Sequence, residues 1–356
     1  MKVSVVIPCY YSEKMIGKVV RLTAYELVKA GYEYEFILVN DGSEDGTFAQ
    51  IKALSDEDGC VVGVDCMKNL GQHAAIMAGL QYTTGEVVML MDDDMQTHPS
   101  QCVKLLKAVE EHPEVDVVFA RWQEHKEAWW RRLGSDFTLW SIRVMTKRPK
   151  DIYPSNFFVM RSYVRDELVR YKGPYPYLQG LLFRATNRMM NVDVEHFERE
   201  MGSSGYTLKS LMRLWATVFG FSMLPLRICC AVGAVIGALG IIAAVVLVVM
   251  RIFDPGMQMG WPSLMSVMLI CSGLILAFLG IIGEYVGRLL MTANNAPQYI
   301  VKTTETSAEA RNACLKGRND DPAQVDDPWR HGRVRRADEA FEGTPLLHHR
   351  LRWIRR

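Results

Sequence analysis

Hydrophobic positions in the first 120 residues come in short runs separated by amphipathic stretches. Runs of strand length lie at Val3–Pro8, Glu35–Val39, Val61–Cys66, Val87–Met91 and Val115–Ala120, with helical stretches between them near 13–30, 47–57, 72–82 and 99–112. Strand–helix alternation predicts an α/β fold: a mostly parallel sheet with helices on its faces. Ligands of such sheets bind beyond the carboxyl ends of the strands, so the loops after each run are the places to look for chemistry.

The pattern changes after residue 200. Residues 207–224 place Leu208, Leu211, Met212, Trp215, Val218 and Phe219 at helical spacing, with Lys209 and Arg213 opposite. This predicts an amphipathic helix lying in a membrane surface. Residues 228–250 then carry no charge over 23 positions, and residues 263–283 carry none over 21. At about 1.5 Å per residue each run spans the roughly 30 Å of a bilayer core. Lys209, Arg213, Arg227, Arg288 and Lys302 flank the pair on one side, against Arg251 in the connecting loop. The positive-inside rule therefore predicts a multi-pass protein with both termini in the cytoplasm. The expected organisation is a catalytic region over 1–200, a juxtamembrane segment over 201–227, a transmembrane hairpin over 228–288 and a tail over 289–356. Beyond about residue 303 the tail holds few large apolar residues among eleven basic and nine acidic ones, so disorder is expected there.

Composition sharpens this picture in three ways. The net charge of +1 hides the uncharged spans, which rule out a purely soluble protein, and it leaves no basic excess for a nucleic-acid partner. Residues 121–150 are the local exception, with eight Lys or Arg against three acidic residues. The eight cysteines form no CxxC pair, which fits reduced, cytosolic usage. The apolar run at the N-terminus is too short for a signal peptide.

Candidate chemistry sits where the sheet argument places it. The fourth run ends in Asp92-Asp93-Asp94-Met95-Gln96. Three carboxylates at one strand end repel one another unless a cation intervenes, and carboxylate and amide oxygens suit Mg²⁺ or Mn²⁺ carrying nucleotide phosphates. The second run ends in Asn40-Asp41-Gly42-Ser43-Glu44-Asp45-Gly46, a tight polar turn able to hold a base or ribose edge. The third is followed by Asn69-Leu70-Gly71-Gln72-His73 and an Ala-rich stretch to Gly79. His73 and His98 read as polar loop residues. There is no Gly-x-x-x-x-Gly-Lys-Ser/Thr loop, and no Gly-x-Gly-x-x-Gly follows the first run.

Together, Val3-Ser-Val-Val-Ile-Pro8-Cys-Tyr10, Asn40 to Gly46, Asn69 to Gly79 and Asp92 to Gln96 resemble the family 2 glycosyltransferases of the GT-A fold. Arg199-Glu-Met-Gly202-Ser-Ser204-Gly-Tyr206, the two spans and Gly283-Glu-Tyr-Val-Gly-Arg288 narrow the resemblance to polyprenyl-phosphate glycosyltransferases. It covers residues 3–301. It implies a bacterial inner-membrane enzyme that transfers a sugar, with inversion, from a nucleotide donor such as a UDP-sugar to undecaprenyl phosphate at the cytoplasmic face. The implied partners are that donor, the polyprenyl phosphate acceptor and membrane lipid; a homo-oligomer is left open. The implied cofactor is Mg²⁺ or Mn²⁺ on Asp92, Asp94 and Gln96. Pro8, Tyr10, Glu13 and Asp41 would line the nucleoside pocket, with Asn69, Gln72, Asp92 and Asp93 as further nucleotide-sugar contacts. Arg121 and Arg131 would meet the acceptor phosphate, Arg199 and Ser204 a phosphate near the membrane, and Asp94 and Asp151 join the arginines as candidate catalytic residues.

Two positions depart from the family pattern. Asn40 replaces the first of two acids before Gly-Ser, and Pro154-Ser155-Asn156 stands where the family has Gly-Asp-Phe, leaving Asp151 as the nearest acid. A phosphate monoester with a second pKa of about 6 needs no strong base to act as nucleophile, which softens the second departure. Two alternatives have less support. A processive polysaccharide synthase would carry Gln-x-x-Arg-Trp, which is absent. A catalytically weak nucleotide-binding scaffold draws only on the two departures.

Overall fold

The computed structural model describes residues 1–95, 98–122, 149, 151–195, 224–253 and 260–306. They fall into two units. The first is an α/β body. Its elements are β1 (Lys2–Cys9), α1 (Ile16–Lys29), β2 (Glu33–Asn40), α2 (Thr47–Glu57), β3 (Val61–Cys66), α3 (Gln72–Leu80), β4 (Val87–Leu90) and α4 (Ser100–Glu111). Then come β5 (Val117–Trp122), β6 (Phe158–Arg161), α5 (Ser162–Val169), α6 (Leu178–Ala185) and β7 (Met189–Val194). The second unit holds α7 (Leu224–Phe253) and α8 (Trp261–Ala293), after which β8 (Val301–Glu305) belongs to the body again.

One sheet runs β7-β5-β6-β4-β1-β2-β3-β8. The four-strand core β4-β1-β2-β3 is parallel, as the alternating pattern predicts. Its strands are apolar almost throughout because helices cover both faces; Phe36, Ile37 and Leu38 of β2 are fully buried in succession. The α3 helix is buried along most of its length and approaches the sheet closely at Gly79. A Cβ at Gly79 would lie 2.8 Å from both Val39 Cγ2 and Val6 Cγ1, so only glycine lets the helix sit at this depth.

The far half of the sheet differs from a simple parallel continuation. β6 inserts between β4 and β5 and is antiparallel to both, whereas β7 is parallel to β5. The apolar run at 115–120 becomes a strand only from Val117, because Asp116 turns inward to accept hydrogen bonds from Tyr163 and Thr186. At the opposite edge, β8 pairs antiparallel with β3, Asp65 facing Thr303 and Val64 facing Thr304. Strand structure thus reaches Glu305, past the point where disorder is expected to begin. Cys9, Cys66, Cys102, Cys229, Cys230 and Cys271 are free thiols.

In the second unit, α7 and α8 run past both uncharged segments. Windows at Leu224–Ala243 and Ile270–Ala293 have mean hydropathies of 2.2 and 1.9, and both helices are long and apolar enough to cross a membrane. Leu239, Ile241 and Leu276 are more than half exposed, the pattern of side chains that face lipid. A Glu284–Arg288 pair at 2.9 Å, one turn apart, carries α8 beyond residue 283. The helix ends where Asn295 takes a left-handed conformation (φ 52°) and Ala296 N donates back to Met291 O at 3.0 Å. The amphipathic helix expected over 207–224 lies outside the described residues except for its last position.

Candidate active site

The strand order reverses between β1 and β4: the chain passes from β1 through β2 to β3 on one side, then places β4 on the other. Such a reversal opens a crevice beyond the carboxyl ends of the two strands. The loops after β1, β2, β3 and β4 meet there and are tied to one another.

The β1 loop starts with Tyr10 and Tyr11, both about half exposed, their rings edge-to-face at 4.7 Å. Tyr11 sits in the left-handed region (φ 55°), and its N–H donates to Ser43 Oγ of the β2 loop at 3.1 Å. Ser12 is buried. Its N–H donates to Thr47 Oγ1 at 2.8 Å, and its hydroxyl donates to Asp93 Oδ2 of the β4 loop. Glu13 Oε2 accepts from Gly46 N at 3.2 Å. Asp45 Oδ1 accepts from Thr47 N at 3.2 Å and Thr47 Oγ1 at 2.6 Å, holding the start of α2.

The β2 loop presses against the β3 loop. Asp41 is buried, and its two carboxylate oxygens accept from Leu70 N and Gly71 N, each at 3.0 Å. Gly42 has φ +66°, and a Cβ there would lie 2.5 Å from Asn69 N and Lys68 C. No other residue permits that backbone contact. Asn40, buried beside Asp41, donates from Nδ2 to Asp65 Oδ1 at 2.7 Å, and Asp65 Oδ2 is 3.5 Å from Lys302 Nζ of β8.

The β4 loop turns sharply because Met95, left-handed at φ 58°, is pulled into the core. The three acids before it are half-buried. Asp93 faces Ser12, and burial, the largest influence, raises its pKa, with the Asp94 charge adding to the rise. Burial likewise raises the Asp41 pKa against the opposing effect of its two backbone N–H donors. Asp92 Oδ1 accepts from Gln72 Nε2, at the start of α3, at 2.5 Å. Burial pushes the next residue, His73, down to about 4, so its ring is neutral at pH 7.

Thus Tyr10, Glu13, Asp41, Asn69, Gln72, Asp92, Asp93 and Asp94 all lie on the loops around one crevice. Pro8 is buried within β1 itself, past the last β4 pairing at Val6, so its missing N–H breaks no ladder bond on that side. Arg121, at the end of β5, forms a two-pronged pair with Asp193 of β7: Nε to Oδ1 at 2.6 Å and Nη2 to Oδ2 at 3.1 Å. Asp151 is exposed in a turn, and no hydrogen bond or ion pair joins it to the described crevice residues. Gln96, Arg131, Arg199 and Ser204 lie outside the described residues. Four contributors are absent from the sequence-based set: Ser12, Asp65, Asn156 and Gln179. Asp65 was legible as a carboxylate interrupting an apolar run. Asn156 was legible only as a departure from a family motif.

Among the described residues no three His, Cys, Asp or Glu side chains cluster as a closed metal cage. Mg²⁺ commonly takes one or two carboxylates, with the rest supplied by water and phosphate. Asp92 and Asp94, two half-buried acids on one turn, are donors of that type.

Residues 4–166 match the profile of glycosyl transferase family 2, and residues 224–289 match the GtrB C-terminal hairpin. The chain is 30% identical over 305 residues to the undecaprenyl-phosphate 4-deoxy-4-formamido-L-arabinose transferase of Proteus mirabilis, covering 85% of this chain and 93% of that one. The enzyme of the same name from Enterobacter sp. matches with the same identity and coverage. Among solved structures, glucosyl-3-phosphoglycerate synthase from Mycobacterium tuberculosis, crystallised with Mn²⁺, UDP and glucosyl-3-phosphoglycerate, aligns with a TM-score of 0.47 and 17% identity, over 62% of this chain and 80% of that one. The full-length relatives, the catalytic profile and the apolar hairpin agree: this chain belongs to the family 2 glycosyltransferases, in their polyprenyl-phosphate branch.

Proposed function

We propose that this glycosyltransferase moves a sugar from a UDP-sugar to undecaprenyl phosphate at the cytoplasmic face of a bacterial inner membrane, with inversion at the anomeric carbon. The observation that carries the reading is the mutual tying of four strand-end loops around one acidic turn: Ser12 to Asp93, Asp41 to Leu70 and Gly71, Gln72 to Asp92. Cross-tied loops hold a crevice in one shape, as a positioning mechanism requires. The full-length relatives, which act on undecaprenyl phosphate, support the acceptor class.

In this reading Tyr10 and the Asp41 turn receive the nucleoside, and Asp92 and Asp94, with Gln96, hold Mg²⁺ or Mn²⁺ on the donor diphosphate. The cation supplies charge neutralisation for the leaving diphosphate. The acceptor's phosphate is mostly dianionic at pH 7 and attacks without a strong base. What the protein must supply is cationic charge to bring one anion to another. Arg121 and Arg131 in the basic 121–150 segment do that, with Arg199 and Ser204 at the membrane end. Asp151, which is exposed, is not required as a base. In this reading both termini lie in the cytoplasm, which the basic residues flanking the apolar pair support.

The test is to incubate the purified protein with Mn²⁺ or Mg²⁺, polyprenyl phosphate and a panel of UDP- and GDP-sugars. Lipid-linked sugar that forms from a UDP donor and is lost on chelation is the expected result. Failure to form lipid-linked sugar under any combination, with nucleotide binding intact, rejects the reading.

A further inference from the structure

Three side-chain amides run in line from the acidic turn into the body. Gln72 Nε2 donates to Asp92 Oδ1 at 2.5 Å, Asn156 Nδ2 donates to Gln72 Oε1 at 3.3 Å, and Gln179 Nε2 donates to Asn156 Oδ1 at 2.8 Å. The three residues come from the start of α3, the loop before β6 and the first turn of α6. Local sequence gives no hint of the arrangement, since Gln72 and Asn156 are 84 residues apart.

The direction of this chain of bonds is dictated from one end. A carboxylate only accepts, so Gln72 must turn its NH₂ toward Asp92 and offer its carbonyl to Asn156. Asn156 must then donate to Gln72 and accept from Gln179. The last amide is left with its carbonyl pointing away from the chain. Gln179 Oε1 is indeed buried and has no hydrogen-bond partner among the described residues. An orphaned buried carbonyl is costly and calls for an explanation. Here it is the far end of a polarity imposed at Asp92.

We propose that Gln72, Asn156 and Gln179 are a one-way positioning relay that fixes Asp92 Oδ1 by its donor end, and with it the orientation of the carboxylate toward the donor diphosphate and its cation. Asn156 is then functional as an amide: an acid at that position could accept from Gln179 but could not donate to Gln72. This inference rests on the assignment of Asp92 to the donor site made above. Gln72 contacts Asp92 directly, whereas Asn156 and Gln179 act through it.

The far end of the relay is its dry end: Gln179 is buried and Asn156 half-buried, whereas Gln72 at the acidic turn is exposed. His73 Nδ1 is a second enclosed atom without a partner, and its ring lies edge-on to Tyr177, two residues before Gln179.

The test compares Q72L, Q179L and Q179E. Two quantities are read across pH 6–9: the affinity for UDP with and without Mn²⁺, and donor kcat/KM. Q72L loses about 10- to 100-fold in Mn²⁺-dependent UDP affinity, the size of one charge-assisted hydrogen bond. Q179L removes only the far donor and loses about 3-fold at every pH. Q179E has nearly the wild-type shape. Protonated, it donates to Asn156 and behaves as wild type. Ionised, it demands a donor, reverses the two remaining amides and turns the Gln72 carbonyl toward Asp92. Its loss therefore grows with pH to the size seen in Q72L, a limb that wild type and Q179L lack. A Q179E profile that parallels wild type, or a Q179L loss as large as that of Q72L, overturns the relay. Thermal unfolding is followed for each variant, and Q179M replaces Q179L if the latter does not fold. Mn²⁺-dependent UDP binding that follows this pattern, in a protein that forms no lipid-linked sugar, keeps the relay and rejects the proposed reaction.

Discussion

Asn40 Nδ2 donates a 2.7 Å hydrogen bond to Asp65 Oδ1, and both residues are buried at the ends of adjacent parallel strands. Related glycosyltransferases often have an acid where Asn40 stands. In this chain that acid would set two carboxylates face to face, with, among the described residues, the exposed Lys302 at 3.5 Å from Asp65 to offset them. N40D is therefore expected to destabilise the folded body at pH 7 by about 2–4 kcal/mol. The pair would share a proton, raising one folded-state pKa above its unfolded value of about 3.9. The penalty is then absent near pH 4 and grows as pH rises through the folded-state pKa. Melting temperatures of N40D and wild type from pH 4.5 to 8 test this; a difference that stays constant across the range refutes it.

Gly42 supports a backbone-to-backbone contact with Asn69 and Lys68 that no side chain leaves room for. G42A should push the β2 and β3 loops apart and weaken UDP binding by about 10-fold or more. Gly31 is the control. Its φ is also positive, at +79°, but nothing lies within 4 Å of its missing Cβ. G31A should cost about 1 kcal/mol of stability and leave UDP affinity unchanged. Calorimetric titration of both variants separates loop geometry from simple backbone strain.

How legible this molecule is depends on the range of the interactions involved. β3 and α2 fall where the hydrophobic pattern puts them, because a continuous apolar run and an amphipathic stretch are local signals. β6, no shorter than β4, escapes the same reading because no regular strand–helix alternation leads up to it and its place is set by pairing with β4 and β5. β7 and β8 escape because they are edge strands, with half-buried, partly polar faces that look like loop. The site divides in the same way. The acidic turn and the Asn40–Gly46 loop announce themselves as polar clusters after apolar runs. Asn156 and Gln179 do not, since their meaning lies in contacts with Gln72 and Asp92 that only the sheet order creates. Asp93 shows a further limit. Three consecutive aspartates look equivalent in sequence, yet the turn at Met95 directs the middle one toward Ser12.

That division among the aspartates can be measured. D94A should cut turnover by about 100-fold or more and raise the Mn²⁺ concentration needed for half-maximal rate. D93A should instead loosen the β1 loop. We expect a stability loss of about 1–3 kcal/mol, weaker UDP binding and a Mn²⁺ requirement within about 3-fold of wild type. Metal titration of the two variants side by side decides the point. Equal shifts in metal requirement would mean that all three acids act as one cluster.

His73 offers a pH signature of its own. Burial lowers its folded-state pKa to about 4, below the unfolded value of about 6.5. As pH falls from 6.5 toward 4 the unfolded chain takes up a proton that the folded chain refuses, so stability is lost over that window, by at most about 3 kcal/mol. H73F keeps a ring against Tyr177 and has nothing to titrate. The stability gap between H73F and wild type should move in favour of H73F as pH drops through this window. A gap independent of pH would show that the imidazole is solvated.

Arg121 has its guanidinium engaged by Asp193 along one edge. Both side chains are about half exposed, so the pair adds little to the stability of the sheet. Its effect is on orientation: Asp193 raises the Arg121 pKa and holds the planar fork at the end of β5, with Nη1 on the side away from the carboxylate bonds. If Arg121 meets the acceptor phosphate, D193A should leave the melting temperature within about 2 °C of wild type. It should also free the cation, lowering KM for polyprenyl phosphate while reducing kcat through lost positioning. R121A should lose about 100-fold in kcat/KM for the acceptor with donor binding intact, and R121K should recover only part of that, because an ammonium lacks the planar fork. Varying acceptor and donor concentrations separately in the three variants settles the assignment. An R121A defect confined to the donor would move Arg121 to the diphosphate side of the reaction.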